Sequence, residues 1–217
     1  MDKVGDSAFA TSAQVSANSV AGYSLSQMRQ PGIVSLDAIN HTKFIANCTK
    51  RIDPSPAIRD SGFKWGSTSL FNQKRVLPML ISVANLALRY STIDFMFYCG
   101  VRTKEEQEQA ILHGTTKTRS SLHFIQSDGF SHAMDLVPLI GGLPKWDWDG
   151  CYRIAAAVDL AATELGCAGN IVWGGAWDRT LADFGGDLHA YAAEVQAYQR
   201  RHQGVDFVDG PHFQWRA

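Results

Sequence analysis

Apolar residues recur at helical spacing before the middle of the chain. They lie three or four positions apart, as expected for one face of an α-helix, at Val76, Leu80, Val83, Ala87 and Tyr90. Pro78 is compatible with this pattern because the first turn of a helix needs no backbone donor at that position. The pattern predicts an amphipathic helix that starts near residue 74 and ends near Tyr90.

The pattern then changes from helical spacing to a continuous apolar run at 93–99, which predicts a strand. Thr103 is followed three residues later by Glu106, the signature of a capping box. A helix is therefore predicted from Thr103 to about His113. Arg102 lies at the junction of this strand and this helix, a position from which a side chain can point into a site.

The second half of the chain alternates between strand and helix patterns. Strands are predicted at 133–139, 170–173 and 212–215, and helices at 150–165 and 188–202. The predicted helices lie early in the chain and between strands, and most strands of the predicted small sheet lie late in the chain. The order indicates an α+β fold in which a small antiparallel sheet carries the candidate site and is flanked by helices.

The first part of the chain gives weaker signals. Residues 1–32 are rich in Ser, Ala, Gly and Gln without sustained periodicity, which is typical of a flexible arm. Residues 33–70 mix short apolar runs with a D-P-S-P turn signal at 53–56. We therefore predict an extension over 1–70, with an arm and a segment that could cap a domain or contact substrate, and a catalytic domain over 71–217.

Composition narrows the classes of function. With 217 residues, of which 45% are hydrophobic, the chain can bury a full core. Its 20 Lys and Arg nearly balance 21 Asp and Glu, so no basic patch is predicted for nucleic acid or for a membrane surface. No apolar run approaches the roughly 20 residues of a membrane span. The N-terminus lacks a basic region followed by an apolar core, so we expect no secretory signal and retention in the cytoplasm.

The four cysteines, at positions 48, 99, 151 and 167, form no C-x-x-C pair. Cys151 and Cys167 bracket a predicted helix, which would separate them by about 24 Å at 1.5 Å per residue. That separation is beyond disulfide reach. Free thiols, typical of a reducing compartment, are the expectation.

Two stretches concentrate residues that bind metals. The segment 119–137 supplies His123, His132 and Asp135 within thirteen positions, and 208–214 supplies a further His. Catalytic zinc typically takes three protein ligands and leaves one position for water. The pattern therefore predicts a zinc peptidase.

The second stretch also offers a base. Asp209 precedes His212 by three residues across Gly-Pro, so it can reach a water rather than the metal itself. Asp135 and His212 both fall on predicted strands, which supply the rigidity that a metal site needs. His123 and His132 compete as the remaining ligand. We favour His123, because residues three apart on a strand, such as His132 and Asp135, point to opposite faces.

With these residues in place, the chain resembles a family of zinc peptidases. The family includes D-alanyl-D-alanine carboxypeptidases, vancomycin-resistance dipeptidases and the L-alanyl-D-glutamate endolysins of bacteriophages. The matching motifs follow the family's order, and the last two are most similar to the endolysins: G-V-R-T-K-E-E-Q at 100–107, S-L-H at 121–123, H-A-M-D-L-V-P at 132–138, W-G-G-A-W at 173–177 and D-G-P-H-F at 209–213.

The resemblance implies a role for each matching residue. It implies Zn²⁺ bound by His123, Asp135 and His212. It also implies Asp209 as the catalytic base and Arg102 as the group that stabilises the developing oxyanion. Positions expected near the substrate are Gln107, Ser121, Trp173 and Trp177.

One departure from the family pattern concerns the first metal ligand. The family places its first His closer to the Asp, whereas here His123 precedes Asp135 by twelve residues. The segment 124–128 reads as an insertion, which we expect to reshape the substrate cleft.

The function implied is that of a phage endolysin. We expect hydrolysis of peptidoglycan stem peptides at the L-Ala–D-Glu bond by a monomer. The enzyme would be made in the host cytoplasm and reach the wall through a separate membrane-permeabilising protein. One alternative is a D-Ala-D-Ala carboxypeptidase or dipeptidase. Another is an inactive protein that binds the cell wall or forms part of the virion.

Overall fold

The computed structural model describes residues 60–114, 116–185, 187–202 and 207–216. The helices of this part are α1 (Ser67–Asn72), α2 (Pro78–Tyr90), α3 (Lys104–Leu112), α4 (Trp148–Glu164) and α5 (Leu188–His202). The strands are β1 (Phe95–Cys99), β2 (Ala133–Ile140), β3 (Leu143–Pro144), β4 (Ile171–Trp173) and β5 (His212–Trp215). Short 3₁₀ turns at Ala168–Asn170 and Leu181–Asp183 flank β4. The predicted arm at 1–32 lies outside the described residues.

The strands form one antiparallel sheet in the order β1-β2-β5-β4, and β3 pairs with the far end of β2. Helices flank this sheet, so the predicted α+β fold with a small antiparallel sheet is confirmed. The central strands β2 and β5 are the ones that carry Asp135 and His212, which stand opposite each other in the register.

The core lies between one face of the sheet and the helices. Met134 and Leu136 of β2, Phe97 of β1 and Phe213 of β5 are fully buried on this face. Helix α4 packs against β2, α2 and α5. Five of its eleven buried residues are alanine, so neighbouring elements can approach its backbone closely. The small side chains of α4 thus set the spacing of the fold around the sheet.

The boundaries of the early helices differ from the prediction for a local reason. Arg75 has a φ of 60°, which is incompatible with a right-handed helix. Val76, placed in the helix from its spacing, instead forms a bridge with Ser131. The helix predicted to start near 74 therefore begins at Pro78 as α2, and α1, which lies before the predicted range, was not predicted.

The predicted capping box at the start of α3 is confirmed. The Thr103 hydroxyl accepts a hydrogen bond from the Glu106 amide at 3.2 Å, and the Glu106 carboxylate accepts one from the Thr103 amide at 2.8 Å. The amides of Thr103 and Glu106, which would otherwise have no acceptor at the start of the helix, are thus both hydrogen-bonded. The start of α3, and with it the position of Arg102 just before it, is therefore fixed by local sequence.

Residues just before the predicted domain boundary at 71 pack on the core. Trp65 meets the Phe95 ring edge-on at 5.4 Å and donates a 2.7 Å hydrogen bond to Asn85. The Ser69 hydroxyl accepts a hydrogen bond from the Phe97 amide at 3.1 Å. In the structure, the packed fold therefore includes residues that we had assigned to the extension.

Three cysteines lie in the described part of the chain, Cys99, Cys151 and Cys167, and all are free thiols as expected. Among the helices described, none combines the length and the apolar character needed to cross a bilayer.

Candidate metal centre and active site

Three side chains from separate parts of the chain meet on the face of the sheet opposite the core. Asp135 and His212 come from paired positions of β2 and β5. His123 comes from the loop between α3 and β2, where its carbonyl accepts a hydrogen bond from the Arg102 amide at 3.0 Å. The Ser121 hydroxyl accepts another from the His123 amide at 3.2 Å. These contacts hold the loop so that His123 reaches the strands.

The polar atoms of these three residues form a compact triangle. The His123 Nε2 atom lies 3.2 Å from Asp135 Oδ1, and His212 Nδ1 lies 3.0 Å from the same oxygen. The two ring nitrogens are 3.2 Å apart. Ligand atoms of a tetrahedral zinc, with bonds of about 2.0 Å, would lie about 3.3 Å apart. The spacing of the triangle therefore suits a zinc ion.

The outer hydrogen bonds of the two imidazoles determine which nitrogen carries the proton. His123 Nδ1 lies 2.6 Å from the Gly100 carbonyl oxygen, and His212 Nε2 lies 3.2 Å from the Gln214 side-chain oxygen. Because these oxygens only accept, the neutral rings carry their hydrogens on these outer nitrogens. Both inner nitrogens then present lone pairs beside the Asp135 carboxylate. Two lone pairs and one anionic oxygen converging on one point form a donor set for a divalent cation such as Zn²⁺.

The pKa shifts of His123 and Asp135 both arise from contacts between the imidazoles and the carboxylate. Burial opposes a charge on His123, but the Asp135 carboxylate outweighs it and raises the pKa of His123 to about 10. Burial likewise opposes ionisation of Asp135, yet the His123 and His212 rings hold the pKa of this carboxyl well below its usual range. The cluster therefore stabilises positive charge at its centre.

Arg102 approaches the triangle from the side of α3. Its Nη2 atom lies 3.3 Å from Asp135 Oδ2, the carboxylate oxygen that does not face the imidazoles. Its Nη1 atom donates a 2.9 Å hydrogen bond to Gln107 Oε1. Burial opposes the charge of Arg102, but Asp135, Cys99 and Asp209 together outweigh this effect, so the pKa of Arg102 is raised. A fixed guanidinium thus stands beside the candidate metal ligands.

Asp209 lies on the loop that leads into β5. The potential ligand atoms of Asp209, Asp135 and His212 all lie within 4.8 Å of one another. Burial and the nearby negative charge of Asp135 raise the pKa of Asp209 to about 6. A carboxylate with a pKa near neutrality is suited to accept a proton during catalysis.

The glycine of the W-G-G-A-W motif explains how Asp209 is positioned. The Gly174 carbonyl accepts a hydrogen bond from the Asp209 amide, and the Gly174 amide donates one to the His212 carbonyl, both at 2.8 Å. A Cβ atom at Gly174 would lie only 2.4 Å from the Asp209 carbonyl oxygen. Position 174 therefore has room for glycine alone, and its backbone links Asp209 to β5.

The residues predicted near the substrate take different positions. Trp173 is fully buried in the core, where its indole donates to the Gly210 carbonyl at 2.7 Å. Gln107 and Ser121 are also buried, beside Arg102 and His123 respectively. Trp177 is part-exposed, and its ring centre lies 5.1 Å from that of His212. Of these four residues, Trp177 combines partial exposure with a ring contact to a residue of the triangle.

The structure brings His123 to the triangle and leaves His132 outside it. His132 Nε2 lies 2.7 Å from the carboxylate of Asp128 at the surface. The intervening residues form a turn, closed by a hydrogen bond from the Gln126 amide to the Phe130 carbonyl at 2.8 Å. The long spacing before Asp135 is therefore accommodated by a turn that loops out of the site.

Sequence reasoning did not place Cys99 at the site. Its Sγ atom lies 3.8 Å from Arg102 Nη2 and 3.8 Å from His123 Nδ1. A register shift in β1 between Phe97 and Cys99 pairs Cys99 with Asp135. Bulges of this kind redirect side chains beside active sites. The proximity depends on strand pairing, so no local sequence signal indicated it.

The chain is similar to several known proteins. Residues 61–214 match the model of the family described as phage L-alanyl-D-glutamate peptidase. The L-alanyl-D-glutamate peptidase of Escherichia phage T5 is 32% identical over 130 residues, which cover 58% of this chain and 87% of that protein. The structure of the Serratia marcescens L-Ala D-Glu endopeptidase ChiX matches with a TM-score of 0.50 at 30% identity, over 72% of this chain and 92% of that chain. The resemblance inferred from the motifs is confirmed, and the chain belongs to the phage L-alanyl-D-glutamate peptidase family.

Proposed function

We propose that this protein is a zinc-dependent endolysin that hydrolyses the L-Ala–D-Glu bond of peptidoglycan stem peptides. The observation that carries the proposal is the triangle of His123, Asp135 and His212, with Arg102 and Asp209 beside it, in a chain of this peptidase family. The substrate is the one named for the relatives from phage T5 and Serratia marcescens.

The metal would be held by His123 Nε2, His212 Nδ1 and Asp135 Oδ1. A zinc ion bound there would lower the pKa of water and polarise the scissile carbonyl. Arg102 keeps Asp135 oriented, because it occupies the second carboxylate oxygen at 3.3 Å. The Gly100 carbonyl and the Gln214 side chain orient the two imidazoles in the same way.

Proton transfer falls to Asp209. As the ionised carboxylate, it accepts a proton from the attacking water and then delivers a proton to the leaving amine of D-Glu. Its half-buried position next to Asp135 raises its pKa to about 6, which makes it a stronger base than an exposed aspartate. The backbone contacts with Gly174 hold the carboxylate in place for both transfers.

Charge stabilisation falls to Arg102. Negative charge develops on the carbonyl oxygen as water attacks, and a fixed guanidinium nearby stabilises that charge without having to reorient. Trp177 forms an apolar wall beside His212, where it limits access of bulk water to the reacting atoms.

We further propose that the turn at 124–130 borders the substrate cleft, and that the segment before 71 contacts the bacterial cell wall.

The test is digestion of purified peptidoglycan with and without a chelator, with products identified by mass spectrometry. Chelator-sensitive release of peptides that begin with D-Glu would support the proposal. Release of D-Ala or of the D-Ala-D-Ala dipeptide would instead indicate a carboxypeptidase or dipeptidase. Absence of cleavage by folded protein that binds zinc stoichiometrically would contradict an enzymatic role and favour a wall-binding protein.

A further inference from the structure

Gln107 is a buried polar residue, and both the oxygen and the nitrogen of its side-chain amide form hydrogen bonds. It lies on α3, where its side chain is only 2% exposed, unlike most polar residues of this helix. Its Oε1 atom accepts a hydrogen bond from Arg102 Nη1 at 2.9 Å, and its Nε2 atom donates one to the Thr118 carbonyl at 2.7 Å. The amide therefore joins Arg102 to the loop that follows α3.

The contacts of Gln107 continue into the candidate metal centre. The other terminal nitrogen of Arg102, Nη2, lies 3.3 Å from Asp135, whose remaining oxygen lies 3.0 Å from His212. The guanidinium is therefore held from two sides, by a neutral amide and by a carboxylate. A planar guanidinium held at both ends has little freedom to rotate.

We propose that Gln107 is a positioning residue, which fixes the guanidinium of Arg102 where negative charge develops on the scissile carbonyl. This inference rests on the proposed function and on the role of Arg102 within it. It differs from the substrate contact that the resemblance implied for Gln107, because the side chain is buried and its oxygen is already hydrogen-bonded to Arg102.

The chemistry of the amide suits this task better than the alternatives. A methionine would fill the same volume but could not accept a hydrogen bond from Arg102 or donate one to Thr118. A glutamate could still accept from Arg102, but it would add a negative charge that pairs with the guanidinium and offsets its effect on the oxyanion. It would also present an oxygen to the Thr118 carbonyl, so the second anchor would be lost. Only the amide supplies an acceptor and a donor without charge.

The experiment is a double-mutant cycle with Gln107→Met and Arg102→Ala, measured in the zinc-loaded protein. We expect Q107M to lower kcat by about tenfold, the lower end for groups that orient a site, with KM changed less than about twofold. In the R102A background, Q107M should lower kcat by less than about twofold, because no guanidinium is left to position. Gln109→Met, an exposed position on the same helix, is the matched control and should leave kcat unchanged.

A merely structural role gives a different result. If Gln107 only supports the fold, Q107M would reduce kcat by the same factor with and without Arg102, and this additivity would overturn the inference. Gln107→Glu serves if Q107M folds poorly, and it too should lower kcat by at least about threefold in the native background alone. Equal activity of folded Q107E and native enzyme would also contradict the inference. If R102A itself retained full activity, the proposed role of Arg102 would fail instead, so the two failures are distinguishable.

Discussion

The two faces of strand β2 differ at its centre, where Asp135 stands between Met134 and Leu136. Met134 and Leu136 point into the core and are fully buried among apolar side chains. Asp135, between them in sequence, points the other way to two imidazoles and a guanidinium. One face gains stability from apolar burial, which needs no particular partner. The other collects donor atoms that suit one another only around a cation, so it serves function more than stability.

The largest effect is expected when the polar face loses a metal ligand. His123→Ala should abolish stoichiometric zinc binding and lower activity by at least about 10³-fold, because charge stabilisation and water activation are lost together. His132→Ala is the matched control, since His132 contacts Asp128 outside the triangle. Zinc content by mass spectrometry and peptidoglycan digestion measure both. Retention of zinc by H123A together with its loss by H132A would reverse the assignment.

The second-largest effect is expected at Asp209, and it distinguishes the proposed base from the proposed metal ligands. Asp209→Asn should lower kcat by about 10²-fold, since the amide cannot accept the proton of the attacking water. Zinc content should remain stoichiometric, because the proposal assigns the metal to His123, Asp135 and His212. Kinetics and metal analysis on the same preparation test the two statements. Loss of zinc from D209N would show that Asp209 is a ligand rather than the base.

A substitution on the core face of β2 should affect the stability of the protein and leave its activity nearly unchanged. Leu136→Ala should lower the free energy of unfolding by about 2–5 kcal/mol, as for other large-to-small substitutions in cores. Its effect on kcat at a temperature where the variant is folded should be small, because Leu136 faces away from the site. Chemical denaturation and digestion assays measure these quantities. A loss of activity larger than that of D209N in folded L136A would contradict the separation of the two faces.

Metal removal sharpens the same comparison. At a free zinc concentration about 100 times the dissociation constant, binding should stabilise the native protein by about 2.7 kcal/mol. Chelation should therefore lower the melting temperature of the native protein and of L136A, but not that of H123A. Calorimetry with and without chelator provides the measurement. An equal response of H123A would place the bound metal elsewhere.

The smallest effect is expected from pH. Asp209 must be ionised to act as the base, and its pKa is raised to about 6, so activity should rise with pH through this region. A bound dication would lower this pKa, which places the acid limb of kcat/KM at or below about pH 6. D209N should lack this limb. Zinc content measured at each pH controls for metal loss, and an acid limb that persists in zinc-loaded D209N would assign it to another group.

Local sequence accounted for much of the fold. The capping box at Thr103 set the start of α3, and helix and strand periodicities located α4, α5, β2 and β5 to within a few residues. These features depend on interactions between residues close in the chain, so a linear reading finds them. The exception at Arg75 is also local, but a left-handed conformation at a non-glycine residue leaves no clear signal in sequence.

For the candidate site, too, some features followed from the sequence and others depended on the tertiary structure. The sequence determined which chemistry is available: imidazoles, carboxylates and an arginine in motifs of a peptidase family. Only the tertiary structure decided which of these groups meet. It brought His123, which the sequence already favoured over His132, to Asp135, placed Cys99 beside Arg102, and buried Trp173 in the core. The reason is physical, because a metal centre depends on distances of about 3 Å between strands and loops far apart in sequence, and these distances are set by strand register and packing.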